Sequence, residues 1–361
     1  MDVPIGIRLT LLAGASYGIL YLLASRAPYY PEKYPAGFWD MQHRLNATDV
    51  WLRTADGVRL HGWFVERPGA SLVTLFLHGN AGNLTYRIAD FENIPAAGSS
   101  LLMIDYRGYG RSSGWPTENG IYRDADAAYD YLLKRGYPPS KIVLHGESLG
   151  SAVAVDLAVR RPCAGLILEA PFTSAHELAG TVLPVVGPLL IWSFDTQRKI
   201  GRVRAPIYIV HGDRDEMIPQ RMGQALFAAA PQPKTFWSVP GAGHNDLLET
   251  AGAAEYTRRL REFYATLAVT RVALVGCGRW GRNILRDLLA LGVEVSVADP
   301  DPAARSHSGE GGPRPTEIDH FSATVTLAGD DTPPIEKLTG TLPVPAFAGT
   351  TALICSTPLT S

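Results

Sequence analysis

An α/β fold, with a mostly parallel sheet covered by helices on both faces, is predicted by three observations. Short apolar runs of strand character recur along residues 46–268, with helical patterns between them. One run, residues 142–144, turns at Gly146-Glu147-Ser148-Leu149-Gly150 and enters a small-residue helical pattern at 151–159. A serine, two aspartates and a histidine each fall just beyond such a run, on loops rich in glycine.

The serine turn is the centre of this pattern. Strand, G-x-S-x-G and helix in succession form a nucleophile elbow: the glycines flanking Ser148 must be small so that strand and helix pass closely. The turn lifts the Ser148 hydroxyl off the sheet edge and aims the Leu149 N–H, with the helix N-terminus, at a developing oxyanion.

Composition sets the class. Of 361 residues 46% are hydrophobic, enough for a sizeable core, and 33 basic against 35 acidic side chains leave a net charge of −2, which argues against nucleic acid as a partner. Three cysteines, Cys163, Cys277 and Cys355, have neither disulfide-framework nor zinc spacing, so no metal is expected.

Residues 5–24 are apolar apart from Arg8 and long enough to span a bilayer of about 20 residues, with Arg8 snorkelling to one side. They read as an uncleaved membrane anchor within residues 1–27; a signal peptide and a buried helix are the rivals. Residues 28–45, rich in proline and aromatics, read as an extended connector. Two alternating stretches, 47–53 and 58–65, are joined by Ala55-Asp56-Gly57, a hairpin signal. Residues 71–77 form a buried strand ending in His78-Gly79-Asn80-Ala81-Gly82-Asn83, a loop whose Asn80 N–H is the candidate second oxyanion donor. Strands at 100–104 and 165–169 and a helix at 124–134 follow. Residues 170–200, with Pro171, Pro184 and Pro188 among apolar side chains, read as an irregular insertion, either a lid or acyl pocket or ordinary core. Strand 206–210 runs into His211-Gly212-Asp213-Arg214-Asp215, where two aspartates compete for the acid role. Strand 234–239 runs into Gly241-Ala242-Gly243-His244. The chain order Ser148, Asp215, His244 is that of one serine-hydrolase fold and not of the others. A helix at 255–267 closes this domain.

The loops LHGNAGN, DYRGYGRSSG, GESLG, HGDRDEMIP and GAGHND make residues 45–267 resemble the α/β-hydrolase-domain serine hydrolases with an amino-terminal membrane anchor. The resemblance implies an α/β-hydrolase fold and Asp215 rather than Asp213 as the acid. It also implies His244 as the base, Asn80 and Leu149 as oxyanion donors, and cleavage of carboxylic esters or thioesters, lipid-like or small, without a cofactor.

A second domain is expected over 269–361. A strand at 271–275 leads into Gly276-Cys277-Gly278-Arg279-Trp280-Gly281, a helix at 282–291, a strand at 293–298 and Asp299. This is the setting of a dinucleotide site: Gly276 for the turn, Gly278 for close approach of the pyrophosphate, Gly281 for helix packing, and Asp299 for the ribose hydroxyls of NAD. The stretch resembles the start of the Gfo/Idh/MocA-type oxidoreductases, with an echo at 352–357. Residues 306–350 are rich in Pro, Gly, Thr and Asp and read as irregular, and that family's substrate domain is absent. The unit is therefore expected to be a partial, Rossmann-like βαβ segment that binds NAD weakly. Two rival functions are an NAD-binding oxidoreductase with an auxiliary hydrolase domain, against which the missing substrate domain argues, and a non-enzymatic interaction protein, against which the complete serine, aspartate and histidine set argues.

Overall fold

The computed structural model describes residues 29–182 and 193–267, together with the backbone of three further strands at 271–275, 295–298 and 350–354. Residues 1–27, expected as an anchor, residues 183–192 of the insertion, and Gly276, Gly278, Gly281 and Asp299 lie outside the described residues. The chain divides into two compact units, Met1–Leu267 and Ala268–Ser361.

The first unit is built on eight strands: β1 (Thr48–Arg53), β2 (Arg59–Val65), β3 (Leu72–Leu77), β4 (Ser99–Ile104), β5 (Ile142–Glu147), β6 (Gly165–Glu169), β7 (Ile207–Gly212) and β8 (Lys234–Val239). They pair in the order β8-β7-β6-β5-β3-β4-β2-β1. β1 and β2 form the antiparallel hairpin expected around Asp56-Gly57, with Gly57 at φ 83°, and β2 pairs antiparallel with β4; every other pairing is parallel. β3 and β5 sit at the centre, buried on both faces, which is why both read as continuous apolar runs without alternation.

The two-residue period of the strands divides the core. On one face Val73, Leu75, Leu144, Leu168 and Ile209 pack against helices α2 (Glu118–Lys134), α3 (Leu149–Arg160) and α4 (Gln220–Ala229). On the other, Phe76, Val143, Ile167 and Tyr208 pack beneath α1 (Ile88–Ala97) and α5 (Ala253–Thr266), through Phe91, Ile94 and Leu260. Each fully buried Leu, Ile or Phe contributes about 1.5–3 kcal/mol of transfer free energy.

The strand bounds agree with the sequence reading to within three residues, β5 running on to Glu147; the helices differ more. α2 begins six residues earlier than expected, capped by Thr117, whose hydroxyl accepts the Gly120 N–H at 3.1 Å. Gly120 weakens the helical pattern yet is needed there, because a Cβ would lie 2.6 Å from Arg107 Cδ. The sequence pattern marks neither α1 nor α4. α1 carries Pro95 in its last turn and ends at Gly98 in the left-handed region. The connector is not simply extended. It contains the turn of helix Met41–Arg44, and Tyr30–Pro31 pairs with Ala81–Gly82 of the loop after β3. In the insertion, helices Ala175–Val182 and Thr196–Ile200 flank the undescribed residues.

In the second unit, β9 (Arg271–Val275) is central, with β10 (Val295–Ala298) on one side and β11 (Thr350–Ile354) on the other, all parallel. Val275 is in register with both Ala298 and Ile354, so the three strands end at one edge.

Candidate active site

Ser148 stands between β5 and α3 at φ 51°, ψ −113°, a conformation that costs an L-residue on the order of 1–3 kcal/mol. The flanking glycines are sterically obligatory. A Cβ on Gly150 would lie 1.8 Å from the Leu77 carbonyl oxygen, and one on Gly146 would lie 2.3 Å from the Gly150 carbonyl oxygen. The turn is held by the Ser148 N–H donating to the Glu169 carbonyl (2.9 Å) and by the Ser151 hydroxyl donating to the Ser148 carbonyl (2.6 Å).

His244 comes from the loop after β8. Its Nε2 lies 3.2 Å from Ser148 Oγ and its Nδ1 lies 2.8 Å from Asp215 Oδ2. The Asp215 carboxylate is buried after β7. Its Oδ1 accepts the N–H groups of Met217 (3.0 Å) and Ile218 (2.7 Å), and its Oδ2 also has His211 Nε2 at 3.3 Å. Burial alone would raise this carboxyl, but the hydrogen bonds from His211, His244 and the Ile218 N–H and the charge of His244 outweigh it. They hold it below the ordinary aspartate range. Asp215 is therefore charged wherever the protein is folded near neutral pH, as an acid that orients a histidine must be. Asp213 is exposed and accepts the Gly241 N–H at 2.7 Å, tying the β7 and β8 loops together. Of the two aspartates, Asp215 reaches His244, whereas Asp213 is exposed and reaches the Gly241 backbone.

Asn80 and Leu149 are on the two loops from which oxyanion donors were expected. The Asn80 side chain is tied down, its Oδ1 accepting the Tyr109 hydroxyl (3.0 Å) and the Tyr30 N–H (3.4 Å). Leu149 is the first residue of α3, so its N–H belongs to the unpaired N-terminal turn of that helix. His78 is fully buried, with Nδ1 at 2.7 Å from the Gly79 carbonyl oxygen and its ring against Tyr106. Burial pushes its imidazole below the ordinary value, so it is a neutral structural group. Burial also pushes the Cys163 thiol up to about 12, which removes it as a competing nucleophile.

Three participants went unnoticed in the sequence. His211 buttresses Asp215 and is packed against Gly223, where a Cβ would lie 2.4 Å from His211 Nδ1. Arg87 and Glu147 form an ion pair of 2.6 Å beneath the loop after β3. Glu147 lies within the serine motif itself, but its partner is 60 positions away with no periodic signal to mark it.

This strand order, with a serine on a strained turn after the fifth strand and a histidine and a buried aspartate following in sequence, defines an α/β serine hydrolase. The mouse α/β-hydrolase domain-containing protein 17C is 36% identical over 227 residues, 62% of this chain and 69% of that protein. The chain belongs to the family of α/β-hydrolase domain-containing proteins. An uncharacterized protein of Mycobacterium tuberculosis is 40% identical over 203 residues, covering 55% of this chain and 72% of the relative. The family described as serine aminopeptidase, S33, matches residues 70–196. Among solved structures, an esterase of Pyrococcus furiosus superposes with a TM-score of 0.57 at 20% identity, covering 66% of this chain and 97% of the esterase, a likeness of fold.

The aspartate assignment yields a direct comparison. Asp215→Asn is expected to lower kcat on the order of 10³–10⁴-fold by leaving His244 in the wrong tautomer, and Asp213→Asn by less than about tenfold. Steady-state kinetics on the purified variants decides it, and an equal or larger loss at position 213 overturns the assignment.

Proposed function

We propose that this chain hydrolyses carboxylic esters or thioesters through an acyl-enzyme on Ser148. The observation that carries the reading is the unbroken row of contacts from Ser148 Oγ through His244 to the buried Asp215. A free serine is a poor nucleophile. His244 Nε2 takes the Oγ proton as Oγ attacks the acyl carbon, and Asp215 stabilises the imidazolium that results. The tetrahedral oxyanion is held by the Asn80 and Leu149 N–H groups, a role in which one donor is worth about 3–4 kcal/mol at comparable sites. The carbon–oxygen or carbon–sulfur bond then breaks, and the leaving alcohol or thiol takes the proton from His244. Water gives a proton to the same nitrogen as it attacks the acyl-enzyme. The acid departs, and Ser148 recovers its hydrogen.

The substrate is proposed to be presented at a membrane, with residues 1–27 as a single-pass anchor. Among the described residues no helix is long and apolar enough to cross a membrane. The support is the surface that follows the apolar stretch: Tyr30, Tyr34 and Phe38 are each more than half exposed, and Phe38 meets the exposed Tyr86 of the loop after β3 at 5.4 Å between rings. Aromatic side chains of this kind collect where a polypeptide meets the lipid headgroups.

For the second unit, the parallel order with the first strand central supports a dinucleotide-type segment. In folds of that type such ligands lie where the strand order reverses beside the first strand, and here β9 has its two neighbours on opposite sides. Residues 306–350 are rich in Pro, Gly, Thr and Asp and lack helical periodicity, and a site without the second half's nicotinamide contacts would still bear the cost of immobilising the ligand. NAD is accordingly proposed as a weak ligand, with no hydride transfer by this chain.

Three outcomes are expected. A fluorophosphonate probe labels the wild-type protein and not Ser148→Ala, and p-nitrophenyl esters and acyl thioesters are cleaved by the first alone; an unlabelled wild type removes the hydrolase mechanism. Deleting residues 1–27 turns a membrane-sedimenting protein into a soluble one with its esterase activity retained, whereas a full-length chain already in the supernatant contradicts the anchor. Calorimetry of NAD with the full chain shows weak binding at most; tight binding abolished by Gly278→Val shows instead that the second unit is a working cofactor site.

A further inference from the structure

The two candidate oxyanion donors come from loops remote in sequence, one after β3 and one at the start of α3. Donors at such a site must be held to within about 0.5 Å for the stabilisation to be realised. The residue that joins these loops is Glu147, the neighbour of Ser148. Its Oε2 accepts the Arg87 Nε–H at 2.6 Å and the Gly79 N–H at 3.1 Å. Gly79 immediately precedes Asn80, and Arg87 stands at the far end of the same loop, between the 3₁₀ turn Leu84–Tyr86 and α1. One carboxylate, covalently fixed to the serine motif's own backbone, therefore grips the loop at two points, Gly79 and Arg87, eight positions apart in sequence.

The contact is close-fitting. A Cβ on Gly79 would lie 3.1 Å from Glu147 Oε1 and 3.2 Å from Arg87 Nη2, so the loop backbone rests directly on the ion pair. From the opposite side Asn80 is held through its side chain by Tyr109 and by the backbone of Tyr30. Both members of the pair are largely buried, with side-chain exposures of 17% for Arg87 and 26% for Glu147. Burial would raise the Glu147 carboxyl, but the charge and hydrogen bond of Arg87, with the Gly79 N–H, overcome this and keep it below the ordinary glutamate range. A charge-assisted bond of this kind is shorter and about twice as strong as a neutral one.

We propose that the Glu147–Arg87 ion pair is the positioning device of the oxyanion site, setting the spacing between the Asn80 and Leu149 N–H groups without itself touching substrate. The proposal rests on the ester-hydrolase reading above. Because the pair acts through the donors, its loss weakens the tetrahedral intermediate and leaves ground-state binding nearly intact.

The test compares Glu147→Gln, Glu147→Ala, Arg87→Lys and Arg87→Ala in the full chain, with active serines counted by fluorophosphonate titration so that unfolded material does not enter the rate. The alanine variants are expected to lose about 10- to 100-fold in kcat per titrated serine, short of the 10²–10³-fold that follows outright loss of a donor. Their KM should change by less than about threefold. Affinity for an alkyl boronic acid, whose tetrahedral adduct places an oxygen in the oxyanion site, should fall in parallel with kcat. The near-isosteric Glu147→Gln and the charge-conserving Arg87→Lys leave a hydrogen-bonding group at each position and are expected to retain a larger share of kcat than the alanine variants; they also carry the test if the alanine variants do not fold. A kcat per titrated serine within twofold of wild type in every folded variant, whatever the loss of thermal stability, shows a purely structural pair and overturns the proposal. A wild type that neither labels nor cleaves esters defeats the underlying reading instead, and the proposal with it.

Discussion

The crossing of three backbone segments at the serine turn is the constraint on which the rest of this unit depends. Leu77 at the end of β3, Gly146 at the end of β5 and Gly150 at the start of α3 approach so closely that no Cβ fits at either glycine. That approach lets β5 lie beside β3 at the centre of the sheet while the chain reverses into a helix. It also forces Ser148 into a conformation that L-residues avoid. The strain is offset locally by the bonds to the Glu169 and Ser148 carbonyls, and globally by the apolar side chains that β3 and β5 bury on both faces.

Electrostatics at the site follow from where the supporting groups are placed. Asp215 is buried, which by itself disfavours its charge, yet two backbone N–H groups and two histidines surround it and the charged form wins. Glu147 follows the same logic on the other flank, where Arg87 and a backbone N–H overcome burial. Two carboxylates, one against His244 and one against the loop after β3, are thus kept ionised by hydrogen bonds aimed at them. The β7 and β8 loops that carry Asp215 and His244 are themselves locked together, because a Cβ at Gly212 would lie 2.3 Å from the Ala242 carbonyl oxygen and because Asp213 accepts the Gly241 N–H.

The strands were legible because they are continuous or alternating apolar runs, most of them followed by glycine-rich loops, a pattern that buried sheet geometry imposes directly. The helices were less so. Gly120 interrupts the pattern of α2 and Pro95 that of α1, and in both cases tertiary packing or position near a helix end overrides the local preference. The connector is less legible for a related reason. Its prolines and aromatics do disfavour long regular elements, but its hydrogen bonds are made to the loop after β3, about 50 positions away.

What the sequence determined by itself was the fold class, the serine turn with its two glycines, and the chain order of serine, aspartate and histidine. These are matters of steric necessity and short-range periodicity, written in consecutive residues. What only the tertiary structure decided was which aspartate meets His244, what keeps that aspartate charged, and how the loop bearing Asn80 is fastened to the turn bearing Ser148. Asp213 and Asp215 are two positions apart and chemically identical; they differ in that one faces solvent and the other the interior. Arg87 and Glu147 carry no mutual signal along the chain, since a contact across 60 positions arises only when β3 and β5 are brought side by side.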